Sequence, residues 1–177
     1  MFPILTERPS DSPRIDALVA ACFGPDRHQK TVYRFREDVA PIPELSFVVR
    51  NGREVEGSIR FWPVVIGAQE IPAVLLGPLC ISPERQGQGI GRALMRHSLY
   101  AATRLGHRIC VLVGDKAYYE PFGFHNAPAA GLELPGWVDP ERFQVMELMP
   151  GAMRGVSGMV AKSPFGSAGR QARRKAA

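Results

Sequence analysis

Between Leu79 and Val113 the chain spells out a strand, a glycine-rich turn, a helix and a second strand in one run. The apolar Leu79-Cys80-Ile81 leads into Ser82-Pro83-Glu84-Arg85, and the turn Gln86-Gly87-Gln88-Gly89-Ile90-Gly91 opens the helix. Ile90, Leu94, His97 and Ala101 recur at helical spacing and predict an inward stripe, and Gly106 ends the helix. Residues 108–113 form a second apolar run. Strands joined through a helix lie parallel, because only antiparallel neighbours can be joined by a hairpin. Upstream, residues 45–50, 55–66 and 71–82 read as strands separated by Asn51-Gly52 and Gly67-Ala68-Gln69, turns short enough to reverse the chain. Gly77-Pro78 falls inside the third of these. Proline has no ladder donor, so the pair predicts a bulge or an edge.

The turn also has chemistry of its own. The first four N–H groups of a helix lack intrahelical partners, and they carry the positive end of its dipole. Glycines leave them unscreened, which suits a diphosphate. A P-loop requires Lys and then Ser or Thr after the last glycine; Gly91 is followed by Arg92 and Ala93. A dinucleotide turn requires G-x-G-x-x-G and an acid about 20 residues on. Here the glycines fall at 87, 89 and 91, and the downstream segment is the apolar Ile109-Cys110-Val111-Leu112-Val113. Both are excluded.

The remaining pattern, Q/R-x-x-G-x-G/A, is met by Gln86-Gly87-Gln88-Gly89-Ile90-Gly91. After the next strand, Tyr119-Glu120-Pro121-Phe122-Gly123-Phe124 fits Tyr-x-x-x-Gly-Phe. Together the two elements resemble the GNAT-type N-acetyltransferase superfamily, most clearly over residues 40–125. Leu76-Gly77-Pro78-Leu79 and Val113-Gly114-Asp115 are similar to one bacterial subgroup of acetyltransferases. The resemblance implies an α/β (α+β) fold with a mixed central sheet, antiparallel in its first half. It also implies one parallel, splayed strand pair and flanking helices. It implies acetyl-coenzyme A (acetyl-CoA) as cosubstrate, and transfer of its acetyl group directly to a primary amine on a small molecule or peptide.

By the same resemblance, Gln86, Gly87, Gln88, Gly89, Ile90, Gly91 and Arg92 hold the pyrophosphate, with Arg85 and Arg96 near it. Leu79 and Ile81 offer backbone groups to the pantetheine arm and thioester. Tyr119 protonates the departing thiolate, with Tyr118 its neighbouring rival. Many family members carry a glutamate on the strand before the turn, but Ala73-Val74-Leu75-Leu76-Gly77-Pro78-Leu79 holds no acid. Glu44, Ser46 and Asp115 are the candidates left for a base, Asp115 being also a natural helix cap. Arg34, Arg36, Glu44, Arg60 and Trp62 fall in segments the family uses around the acceptor. Phe61 and Trp62 alternate on one strand, so one faces the core and the other is placed to line a groove. The missing glutamate keeps an alternative open, a non-catalytic acyl-CoA-binding regulatory module on the same fold.

Residues 2–8 suit a first strand, Ser10-Asp11-Ser12-Pro13 a helix start with Ile15, Leu18, Val19 and Cys22 inward, and residues 28–38 a second helix. Residues 116–122 suit a short helix and 143–148 a late strand. Residues 1–150 read as a single acyltransferase-like domain, 151–163 as an extension and 164–177 as a disordered basic tail. The net charge of +5 belongs to that tail, since without Arg170, Arg173, Arg174 and Lys175 the balance is 18 basic to 17 acidic residues. A nucleic-acid partner is therefore not expected. Three separated cysteines and four histidines without ligand spacing predict no disulfide framework and no metal. No membrane span or signal peptide is evident, so the expected location is cytoplasmic. Homodimerisation is left open.

Overall fold

The computed structural model describes residues 2–164; the basic cluster at 170–175 lies outside them. Strands β1 (Ile4–Thr6), β2 (Phe47–Asn51), β3 (Glu54–Ile66), β4 (Ile71–Ile81) and β5 (Ile109–Val113) lie side by side in chain order. Beyond β5 come β8 (Phe143–Glu147) and then the two-residue β6 (His125–Asn126). Only β4 and β5 are parallel neighbours along this path. The crossover between them is α2 (Ile90–Arg104), as the strand-turn-helix-strand order requires. β9 (Gly158–Lys162), inside the segment read as an extension, pairs with the far end of β3 and with the short β7 (Leu132–Glu133).

Two apolar layers sandwich the sheet. Under α2 lie Ile59, Phe61, Val74, Leu76, Cys110 and Leu112, against Leu94, Met95, Leu99 and Ala102. Their alternates Trp62, Leu75, Val111 and Val145 face the other way, against Phe35 and Leu132. Helix α1 (Ser12–Phe23) covers Val48, Val55 and Cys80 with Ile15, Leu18 and Val19. The 28–38 helix does not form. Two 3₁₀ turns, Pro25–Gln29 and Thr31–Phe35, stand there, because Lys30 between them is extended (φ −71°, ψ 139°). Of Val32, Phe35 and Val39, whose helical spacing points them to the core, only Phe35 is fully buried. The inward stripe of α2 is also rotated. His97 is exposed and sets its ring edge-on to Phe47 at 4.7 Å, while Met95, Ser98, Leu99 and Ala102 face the sheet.

Gly77-Pro78 marks a bulge, as expected. Ile59 pairs with Leu79 but Phe61 with Leu76, so β4 carries one residue more than β3 across this step. The bulge lies where β4 leaves β5. The two strands pair only at Val74–Cys110 and Leu75–Val111, and residues 77–81 have no partner on β5.

Candidate active site

That opening is the centre of a cavity of about 1270 Å³. Leu76–Ile81 and Val113–Asp115 line it, together with residues of the glycine turn and of the 29–36 segment. Leu79 and Ile81 are half-buried on the open edge of β4, where their backbone is not used by β5.

Gly89 caps α2 with φ +88°, a left-handed conformation that costs a side-chain-bearing residue energy and glycine almost none. No side chain caps the helix; Gln86 N–H bonds the Pro83 carbonyl at 3.4 Å, and Ala93 N–H bonds the Gly89 carbonyl at 3.0 Å. Gly87, Gly89, Ile90, Gly91 and Arg92, at the helix start, line the cavity. Side chains brace the turn from behind. Gln86 donates to the Ile81 carbonyl at 3.4 Å and Gln88 to that of Glu84 at 3.2 Å. Gln88 does not line the cavity, so its side chain is structural here. Arg85 pairs with Glu56 at 3.0 Å and reaches Gln88 at 3.3 Å, which leaves Arg92 as the exposed cation of the turn. Arg96, one turn on, is not in the wall. Ile90 anchors the helix start, since a Cβ on Gly57 of β3 would stand 2.8 Å from its Cγ2.

Beyond β5, Asp115 accepts the Tyr118 N–H at 2.9 Å and caps α3 (Lys116–Tyr119), which runs on as a 3₁₀ turn to Phe122. This short helix separates the two tyrosines. Tyr118 is partly exposed, with its hydroxyl over Gly91. Tyr119 turns inward and lies edge-on to Phe124 at 6.0 Å and to Tyr118 at 4.9 Å. Its ring rests on Gly114, where any Cβ would collide with it. Burial, reinforced by the Tyr118 hydroxyl, pushes the Tyr119 phenol well above its ordinary pKa. Burial raises Tyr118 too, against the opposing pull of Arg92.

The base candidates are not free. Ser46 is buried and donates to the Ile42 carbonyl at 2.9 Å; Glu44 is exposed and outside the cavity wall. Asp115 lines the wall but is engaged as a cap. Of the acceptor candidates, Arg36 lines the cavity. Arg60 faces Glu7, with nitrogens 2.9 and 2.7 Å from its carboxylate. Phe61 and Trp62 are both buried, one in each apolar layer, so neither lines a groove. Trp62 Nε1 donates to the Gly77 carbonyl at 2.6 Å and pins the bulge. Gly114, from the Val113-Gly114-Asp115 segment, also lines the cavity; Tyr33 and Arg142 do too and were not legible as site residues, since no local motif marks them.

A family model described as an acetyltransferase (GNAT) domain matches residues 43–126, which hold the opening between β4 and β5, the glycine turn and both tyrosines. The uncharacterized N-acetyltransferase YhbS of Escherichia coli K12 is 34% identical over 159 residues, 89% of this chain and 93% of its own. The chain belongs to the GNAT acetyltransferase family. The crystal structure of E. coli YhbS in complex with CoA superposes with a TM-score of 0.79 at 32% identity, covering 92% of this chain and 89% of that one. A GNAT acetyltransferase from Brucella melitensis, solved in complex with acetyl-CoA, gives 0.66 at 31% identity, covering 93% and 97%. The GNAT fold accounts for the mixed sheet and for the parting of β4 from β5. Among the described residues no helix is long and apolar enough to cross a membrane, and no three metal-ligand side chains cluster.

Proposed function

We propose that this chain is an N-acetyltransferase that moves an acetyl group from acetyl-CoA to a primary amine by direct transfer. The observation that carries this reading is the continuous cavity from the glycine turn at Gly87–Gly91, through the gap between β4 and β5, to the Tyr119 ring. The two relatives solved with CoA and acetyl-CoA support it.

In this reading the turn takes the pyrophosphate on its backbone amides, each bond strengthened by the ligand's charge. Arg92 adds a cation. The unpaired edge of β4 at Leu79–Ile81 accepts the pantetheine arm as an extra strand and offers an N–H to the thioester oxygen, a contribution of about 3 kcal/mol in sites of this kind. The amine nitrogen attacks the thioester carbon, the C–S bond breaks, and the sulfur takes a proton from the Tyr119 hydroxyl. The amine gives its surplus proton to water, since Asp115 and Asp139, the carboxylates of the wall, each accept a backbone N–H, and water returns a proton to the Tyr119 phenolate. Burial weakens Tyr119 as an acid, and a thiolate leaving into the same dry gap is a stronger base than one in water.

Calorimetric titration of acetyl-CoA into the protein tests the reading, with Gly89→Trp as control. Micromolar binding that the control loses, followed by transfer to an amine, is the expected result. Binding without turnover over a broad amine panel would leave the regulatory-module reading, and no binding would remove both.

A further inference from the structure

On the face of the sheet opposite α2, the cavity is lined by a cation without a counter-ion. Arg36 lines the wall and makes no ion pair among the described residues. Its Nε is sealed from solvent without a well-formed hydrogen bond, as is the Tyr33 hydroxyl, and the neutral phenol of Tyr33 is its polar neighbour. The guanidinium carbon sits 4.7 Å from the Tyr33 ring centre and 5.8 Å from that of Trp62. Nη2 presses against Gly77, where a Cβ would stand only 3.2 Å away. Burial lowers the Arg36 pKa to about 10, so the group stays charged at neutral pH. The acids in the cavity wall are Asp115 and Asp139, which accept backbone N–H groups of Tyr118 and Glu141.

A buried, unpaired cation costs stability, a cost that an arriving anion offsets. The N–H edge of a guanidinium matches a carboxylate in a two-bond fork. One unit of charge balances one carboxylate. Gly77 is two residues from Leu79, so an anion held there lies within a small molecule's length of the reacting carbonyl.

We propose that Arg36 is the carboxylate-binding residue of the acceptor site. The acceptor is then a small amine that carries a carboxylate, an amino acid in the broad sense, and not a polyamine or a protein amine. This rests on the acetyltransferase reading above. Trp62 and Gly77 are positioning residues: the indole holds the bulge by its bond to the Gly77 carbonyl, and the bare Gly77 Cα makes room for Nη2.

The test is acetyl transfer by the full chain to the common amino acids, each against its decarboxylated amine, with ethanolamine phosphate and short peptides beside them. The wild type should show kcat/KM roughly 10–100-fold higher for the carboxylated member of at least one pair. Arg36→Met should erase that preference, and Arg36→Lys, which keeps a charge but not the fork, should return part of it. Acetyl-CoA titrations on the same samples separate the failures. No acetyl-CoA binding by the wild type sinks the acetyltransferase reading itself. Binding with equal rates within every pair, with no transfer to any amino acid, or with a preference for the phosphate overturns the Arg36 assignment alone. So does Arg36→Met if it weakens acetyl-CoA binding, because the arginine would then serve the cosubstrate's own phosphates.

Discussion

Gly114→Ala puts one methyl group where the Tyr119 ring now lies. A Cβ built there stands 3.0 Å from Cδ2 and 3.2 Å from Cζ, and Cε2 is nearer still. Ordinary carbon contacts are about 3.5–4.0 Å, so the ring has to withdraw by about 1 Å. The backbone cannot move instead. Gly114 N–H is bonded to the Arg142 carbonyl at 2.9 Å, and the Gly114 carbonyl accepts from Gln144 at 3.3 Å. Nor can the ring slide sideways, since Tyr118 and Phe124 flank it. A misplacement of about 1 Å at a reacting group costs on the order of 100-fold in rate. The overpacking itself costs about 1–3 kcal/mol of stability. The expected variant is therefore folded, binds acetyl-CoA as before because the turn at 86–91 is untouched, and turns over about 100-fold more slowly. Steady-state kinetics on wild type, Gly114→Ala, Tyr119→Phe and the double variant give the decisive comparison. If the methyl acts by moving the Tyr119 hydroxyl, it costs little once that hydroxyl is gone. An equal loss in both backgrounds would refute the argument and return Tyr119 to packing.

Other expectations follow from the same geometry. Gly57→Ala drives a methyl into Ile90 Cγ2, a β-branched side chain that cannot rotate away at the start of a helix. It should lower the melting temperature by roughly 2–10 °C and raise KM for acetyl-CoA, both measurable on one preparation. Glu7→Gln removes the nearer charged partner of the buried Arg60 guanidinium, whose oxygens now lie 2.9 and 2.7 Å away, and leaves it only the exposed Asp16 at 3.6 Å. Thermal unfolding should show a loss of roughly 1–3 kcal/mol with kinetics little changed. Because burial raises the Tyr119 pKa, the phenol stays protonated, and so competent as an acid, beyond the ordinary tyrosine value of about 10. The pH profile of kcat/KM should then climb with amine deprotonation and show no falling limb below about pH 10. A falling limb near pH 8–9 would contradict that assignment.

The strands and the crossover were legible because they depend on local order: short turns at Asn51-Gly52 and Gly67-Ala68-Gln69, then a glycine turn between two apolar runs. The bulge at Gly77-Pro78 was legible because proline lacks a donor. The 28–38 segment misled. Val32, Phe35 and Val39 have helical spacing, but one extended residue, Lys30, divides the segment into tight turns. On α2 the start of the stripe held, since Ile90 and Leu94 pack over the bare Gly57, but further along Met95, Ser98, Leu99 and Ala102 are the buried residues in place of His97. At the site, the glycine turn and Tyr119 sit in contiguous motifs and could be read directly. The Arg36, Trp62 and Gly77 cluster is drawn from three separate segments, and folding alone brings it together.

The division of β3 between partners has a consequence for how the chain reaches this state. β2 pairs with its first part, up to Ile59, and β9 with Val64–Ile66, all three of them buried apolar residues. During synthesis those three positions emerge almost a hundred residues before the strand that covers them. Until β9 arrives they form an unguarded hydrophobic edge, the kind on which a second nascent chain can pair. Yield at high expression should therefore depend on residues 158–162, far from the chemistry, more than on most of the active-site wall.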